Sequence, residues 1–236
     1  MQSRFSKIFM RSVLLILTVL FSGTALAEET PWPEVTPDGL HRVTWSRYSV
    51  VYLAPDADLK PYDRIRLMQP VVRFKKNWEG KEALMTENRG LETAPELAIS
   101  IRKKMSVEFM KVFTETLEKG GYGVVQEDGA DVLLVRPAII NVKAVIPNDA
   151  GVDDTGVIVR SAGEMTLFLE VFDSVTGELI GKGLDLKEDT AEDAKLGGFG
   201  YFWSDMEPEK NRALIDRAFT KWADSLVAAL DDLRSN

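Results

Sequence analysis

A two-layer α+β sandwich, a mixed and mostly antiparallel sheet with two long amphipathic helices on one face, follows from three features of the chain. The first is Asp131–Ile146, DVLLVRPAIINVKAVI, which is apolar on both of its parities. A strand with two apolar faces is covered on both, so it belongs in the interior of a sheet. The second is Glu164–Asp173, EMTLFLEVFD, a strictly alternating run followed by a turn and an extended partner, as in a hairpin. The third is a pair of stretches, Thr93–Lys119 and Glu207–Leu233, in which apolar residues recur at helical spacing. The expected order is β-β-α-β-β-β-β-α. Two such helices cover one face of a sheet, and the first, lying between strands, supplies a βαβ crossover.

The chain opens on a targeting segment. Arg4, Lys7 and Arg11 form a basic start, Val13–Phe21 is apolar, and Ala25-Leu26-Ala27 is a small-x-small cleavage site before Glu28. The apolar run is far short of the ~20 residues that span a bilayer. The expectation is a cleaved signal peptide at residues 1–27, an extended leader at 28–46 and a single α+β domain at 47–236. The chain holds no cysteine, so neither a disulfide nor a lipidated thiol is available, and a bacterial periplasm suits it best. Removing the three basic residues of the signal takes the formal charge from −8 to −11. That surface repels phosphate backbones and anionic lipid, so nucleic acid is not an expected partner, and the cleaved form is expected to be soluble with no membrane anchor.

Each element has its own local reason. Pro31, Pro33 and Pro37 extend the leader, and Arg47–Leu53 has strand composition. The turn-rich APDADLKPYDR leads into a second strand, Arg64–Phe74, with Ile65, Leu67 and Val71 inward. Pro70 assigns that strand to an edge or a bulge. Lys75–Glu92 reads as a long polar loop carrying Trp78. Thr93 and Glu96 make a capping box for the first helix, with Pro95 in its first turn and Gly120-Gly121 at its end. Its buried stripe is Leu97, Ile101, Met105, Phe109, Phe113 and Leu117. Tyr122–Gln126 is a short strand, and Pro137 places a bulge or an unpaired position inside the central strand. Gly181 and Gly183 weaken the strand Glu178–Asp189. Leu214, Ala218, Phe219, Trp222, Leu226, Leu230 and Leu233 form the inward face of the last helix.

No residue pattern points to a chemistry. His41 is the sole histidine and lies in the leader, which leaves hydrolytic triads and zinc sites short of ligands. Asp149, Asp153 and Asp154 share a loop but lack the spacing of a calcium loop, and they read, like Asp56 and Asp58, as solvated turn residues. Gly197-Gly198-Phe199-Gly200 lacks the basic ending of a phosphate loop. No catalytic, cofactor-binding or metal residues are assigned and no cofactor is expected. The candidate partner contact is Phe199, Tyr201, Phe202 and Trp203, aromatics on a glycine-hinged loop.

At Tyr52-Leu-Ala-Pro-Asp-Ala-Asp-Leu-Lys-Pro-Tyr62-Asp63 the chain resembles a family of exported bacterial proteins, domain of unknown function 3313. The resemblance continues through the long helix, Gly120-Gly121-Tyr122, the strand Gly129-Ala130-Asp131-Val-Leu-Leu-Val and the Glu164–Gly183 hairpin, roughly Tyr48 to Leu233. It implies no catalytic residues. Many members look like lipoproteins, from which this chain departs in lacking the cysteine. The βαβ arrangement is also similar to a small domain of several envelope-assembly and synthase-activating proteins, at the level of fold alone. The expected function is a non-enzymatic periplasmic binding or envelope-assembly protein that contacts another envelope protein. The alternative is a carrier of a small apolar or lipid-like ligand between helices and sheet. N-terminal sequencing of the exported protein should begin at Glu28; a start at Met1 would show an uncleaved segment.

Overall fold

The described part of Asp131–Ile146, residues 132–143, is paired on both edges as an interior strand, but the expected cover on both faces is corrected: Leu133, Val135 and Ile139 are buried beneath the helices, while Leu134, Ala138 and Ile140 on the other face are half-buried and Arg136 is exposed. The protein is described by a computed structural model over residues 32–44, 47–76, 94–143, 164–188 and 208–235, with side chains described outside 94–97, 188 and 208–214. The strands are β1 (His41–Val43), β2 (Val50–Leu53), β3 (Arg64–Leu67), β4 (Val71–Phe74), β5 (Gly123–Val124), β6 (Val132–Lys143), β7 (Glu164–Asp173) and β8 (Leu179–Glu188). The helices are α1 (Ala94–Lys119) and α2 (Pro208–Ser235). The described strands form one sheet in the order β1-β2-β8-β7-β6-β3-β5, with β4 also paired to β6. Contacts along β1-β2-β8-β7-β6 are antiparallel, while β3 and β4 run parallel to β6, and β5 parallel to β3. The fold is the expected mixed α+β arrangement, with α1 supplying the crossover.

The register around β6 corrects two expectations. Arg64–Phe74 is two strands, not one. Leu67 pairs with Val135 but Val71 pairs with Ala138, so one extra residue is inserted between β3 and β4 relative to β6. An odd insertion flips the parity of every later residue in the strand. Val71 therefore points outward, 50% exposed, and Val72 is buried in its place. The break also explains Pro137. Arg136 and Pro137 lie where β3 has ended and β4 has not begun, so the missing N–H falls where no parallel partner requires it. Toward β7, Pro137 pairs in register with Leu169. The bulge lies further on, between Ile140 and Lys143, where Asn141 takes φ +55°, a conformation asparagine tolerates.

Both helices bury their stripes against one face of the sheet. Ala98, Ile101, Met105, Phe109, Phe113 and Leu117 from α1 share a core with Ile215, Ala218, Phe219, Trp222, Ala223 and Leu226 from α2. Ile65, Leu67, Leu133, Val135, Ile139, Met165, Leu167 and Leu169 complete it from the sheet. Phe109 stacks on Phe113 at 3.8 Å between ring centres and meets Phe219 edge-on at 5.4 Å. The Met and Phe stripe of α1 is thus core. Gly121 ends α1 at φ +89°, and a Cβ on Gly120 would lie 2.8 Å from the Val227 methyls, so this glycine lets the two helices approach.

The proline-rich segment is structured rather than a loose leader. Glu34–Thr36 folds back on Leu40–Arg42 through Thr36 N to Leu40 O at 2.9 Å and Arg42 N to Glu34 O at 2.7 Å, around Gly39 at φ +82°. Its Leu40 packs with Val50 and Tyr52 on the reverse face of β2 and β8, and the Tyr52 hydroxyl donates to Pro33 O at 2.8 Å. His41 is therefore a strand residue, paired with Leu53.

Gly181 has a packing role in β8: it admits β2. A Cβ on Gly181 would lie 2.8 Å from Leu53 Cδ2 and 3.0 Å from Tyr52 O, and the Tyr48 ring lies 3.6 Å from the Cβ position of Gly183. Gly181→Ala is expected to destabilise by about 1–3 kcal/mol through the shift it forces on β2. Chemical denaturation checks this; an unchanged midpoint would contradict the close approach.

Candidate functional site

The most buried carboxylate of the sheet is Asp185, 7% exposed, on the helix-facing side of β8 opposite Leu167. A carboxylate removed from water has to find donors, and Asp185 finds them on separate elements. Its Oδ1 accepts from Ser49 N at 3.0 Å and Ser49 Oγ at 2.7 Å, at the start of β2. Its Oδ2 accepts from Trp222 Nε1 at 2.9 Å on α2 and pairs with Lys187 Nζ at 2.8 Å, two residues along the same strand. Beside it, the buried Tyr48 hydroxyl donates to Trp222 O at 2.6 Å. Burial pushes the Asp185 carboxyl up, but the bonds from Lys187, Ser49 and Trp222 outweigh it and hold it below the usual carboxylate value. Burial, then the Asp185 charge, raise Tyr48 well above the ordinary phenol value. An acid held ionised and a phenol held neutral, each fully bonded, make a structural joint rather than an acid–base pair.

The segments that carried the family resemblance converge at one end of the sheet. Ala54–Asp63 has to cross the ends of β8, β7 and β6 to carry the chain from β2 to β3. Leu59 plugs the core beneath this strap, and Asp58 Oδ1 caps Lys60 N at 3.0 Å, the turn role expected of it. The Tyr62 hydroxyl donates to Asp173 Oδ2 at 2.8 Å, tying the strap to the β7–β8 turn. Burial and then that bond push Tyr62 up to about 12. The Asp173 carboxyl is lowered, first by the Thr176 backbone N–H and then by Tyr62. Arg64 pairs with Asp131 and Arg66 with Asp128. The Ser174 hydroxyl bonds Gly129 at both N and O, at 3.0 Å each, and the Tyr122 hydroxyl donates to Asp231 at 2.7 Å. These motifs stitch strands together.

The side of the sheet away from the helices carries a different pattern. Val71, Ala138, Phe168, Leu184 and Val50 are successive cross-strand neighbours and form one apolar row over five strands. Ile140, Thr166 and Leu186 form the next row. A charged row borders them. Arg136 pairs with Glu170 at 2.6 Å, Glu170 with Lys182 at 3.7 Å, and Lys182 with Asp38 of the N-terminal hairpin. The hairpin covers the β2 flank, where Leu40, Val50 and Tyr52 are buried. The apolar rows are open at their flanks: Val71, with the neighbouring Met68 also exposed, on one side, and Leu186, 44% exposed, on the other. On the helix side, an apolar cavity of about 50 Å³ lies between β8 and the end of α2, lined by Tyr48, Leu53, Leu169, Val171, Leu226 and Leu230.

Phe199, Tyr201, Phe202 and Trp203 lie outside the described residues, as do Asp149, Asp153, Asp154 and the glycines 197, 198 and 200. Among the described residues no group of three His, Cys, Asp or Glu side chains is placed to hold a metal ion. No helix there is long and apolar enough to cross a membrane. Asp185 and the helix-free face were missed, because each depends on strand register and on partners far away in sequence.

Fold and surfaces together define an α+β scaffold with internally bonded polar residues and one partly open apolar sheet face. The chain belongs to the family described as protein of unknown function (DUF3313), whose profile matches residues 37–197. No curated protein matches it. Among solved structures, it is similar to a hypothetical protein from Chlamydia trachomatis, at 8% identity and a TM-score of 0.39 over 74% of this chain and 99% of the other. It is also similar to the PelC dodecamer from Paraburkholderia phytofirmans, at 8% identity and a TM-score of 0.35 over 72% and 95%. A third similar structure is a protein from Xanthomonas campestris assigned to DUF330, at 10% identity and a TM-score of 0.32 over 76% and 93%. Likenesses at these scores define no function for this chain.

Asp185→Ala is expected to cost about 3 kcal/mol, since it strands the donors of Ser49 and Trp222 and the charge of Lys187. Trp222→Phe, which removes the N–H, is expected to cost about 1 kcal/mol or somewhat more. Because the folded carboxyl is lowered, its stabilisation is complete above the ordinary value near pH 4 and is lost as pH falls through the folded value. Urea denaturation from pH 7 down to pH 2 should therefore show a steeper acid loss for wild type than for Asp185→Asn. Parallel curves would remove the charge from the joint.

Proposed function

We propose that this is a non-catalytic accessory protein of the bacterial envelope, exported through its N-terminal segment, that holds a protein partner against the helix-free face of its sheet. The observation that carries the reading is the apolar row Val71–Ala138–Phe168–Leu184, open at Val71 and flanked by exposed Leu186. Large apolar side chains grouped on one face and rimmed by a charged row are the pattern of a protein contact. Export is supported by the sequence of residues 1–27. The alternative, a carrier of an apolar ligand between helices and sheet, draws no support from a cavity of about 50 Å³; small-molecule sites run to roughly 300–1,000 Å³. The same reading retains Phe199, Tyr201, Phe202 and Trp203 as proposed partner contacts.

A photo-crosslinking residue placed at Val71 or at Leu186 in living cells should give one adduct of common mass, absent from the exposed control position Lys60. Leu186→Glu should abolish the adduct formed from Val71 while leaving the unfolding midpoint within about 0.5 kcal/mol of wild type. Equal labelling at Lys60, or an adduct indifferent to Leu186→Glu, would remove the sheet face from the function.

A further inference from the structure

The outward face of α1 divides its charge along the helix: the stretch from Ile99 to Thr114 runs against the acidic trend of the whole chain, and the exposed Glu115 and Glu118 follow it toward the C-terminal end. The protein has 37 Asp+Glu against 29 Lys+Arg. Between Ile99 and Thr114, however, the one carboxylate is Glu108, and it is 2% exposed. The same stretch holds Arg102, Lys103, Lys104 and Lys111. Ile99, Lys103, Val107 and Lys111 succeed one another at four-residue intervals and so form one inclined ridge, about 18 Å long and turning through about 120° of the helix surface, which continues to the exposed Glu115. Ile99 and Val107 are 62% and 60% exposed, in positions where a helix on an acidic protein ordinarily carries polar residues. Lys103 and Lys104 are exposed, and Lys111, half-exposed, reaches back to Glu108 at 3.3 Å.

We infer that this face of α1 is a peripheral docking surface for an anionic lipid bilayer. Exposed aliphatic side chains with lysines between and beside them, on an arc of about 120° of one helix, suit an interfacial helix lying on a bilayer: the aliphatics enter the headgroup boundary while the lysine stems lie along it and their ammonium groups stay at the phosphates. Charge complementarity selects an anionic surface, to which each lysine adds about 1 kcal/mol, or about fivefold in partition. A protein partner fits the composition less well, since protein interfaces enrich aromatics and arginine and deplete lysine, and the ridge from Ile99 to Lys111 carries two aliphatics, two lysines and no aromatic. The face lies on the helix layer, away from the sheet face assigned to a protein partner, so the two contacts do not compete and neither rests on the other.

The test is flotation of the full chain with vesicles of phosphatidylglycerol and phosphatidylethanolamine, and with vesicles of phosphatidylcholine alone. Wild type, Lys103→Glu and the double variant Ile99→Asn/Val107→Asn are compared side by side, so that any contribution from the rest of the chain is common to all three. Wild type should partition to the anionic vesicles, weaken as salt rises, and bind phosphatidylcholine poorly. Lys103→Glu should lose about 25-fold, two charges at about fivefold each, and the double variant at least fivefold. All three substitutions are at exposed positions, and thermal unfolding confirms that the variants fold. Equal partition to both vesicle types, or a Lys103→Glu variant that floats like wild type, overturns the inference. So does binding to soluble polyaspartate without binding to vesicles, which would move the face to an acidic protein.

Discussion

The joint at Asp185 sets the geometry on which the other features depend. It gathers the start of β2, the middle of β8 and the middle of α2 onto one carboxylate, through donors 136 and 37 residues away in sequence. In a chain without cysteine, no covalent bond ties the last helix to the sheet. Apolar contact against the sheet is non-directional and leaves a helix free to slide or rotate. Directional bonds from an indole N–H and a hydroxyl to a charge that costs a great deal to leave unpaired remove that freedom. The rotation they select is the one that buries Phe219, Trp222, Ala223 and Leu226 together.

A second constraint is topological. Carrying the chain from β2 to β3 requires a strap across three strand ends, and the segment from Ala54 to Asp63 is that strap. Its residues are explained by the crossing: Leu59 fills the space under it, Asp58 shapes its turn, and Tyr62 fastens it to the β7–β8 turn. Gly129 and Ser174 close the same end from the other side. Among the described residues, the polar side chains of this strap and of the strand ends beneath it therefore serve the architecture.

Much of this architecture is legible in the sequence because it is periodic. The strand Glu164–Asp173 is read from alternation with both ends in place, and both helices are read from apolar spacing close to 3.6 residues. Departures arise where pairing, not periodicity, decides. One inserted residue between β3 and β4 turns Val71 to solvent; Pro70 marks the irregularity, but the flip of parity shows only once both strands are paired to β6. Gly181 looks like a weak point of a strand until β2 is laid against it. A leader rich in proline becomes a hairpin because the exposed flank of β2 and β8 gives Leu40 somewhere to be buried.

The sequence alone determined the layers, the helix faces, the central strand and the family, since each is written in local spacing or in a contiguous motif. Tertiary structure alone decided that Asp185 is the buried anchor, that the apolar row crosses five strands on the helix-free side, and that Ile99 and Val107 of α1 stay exposed. Those properties belong to register and burial, which no window of neighbouring residues contains.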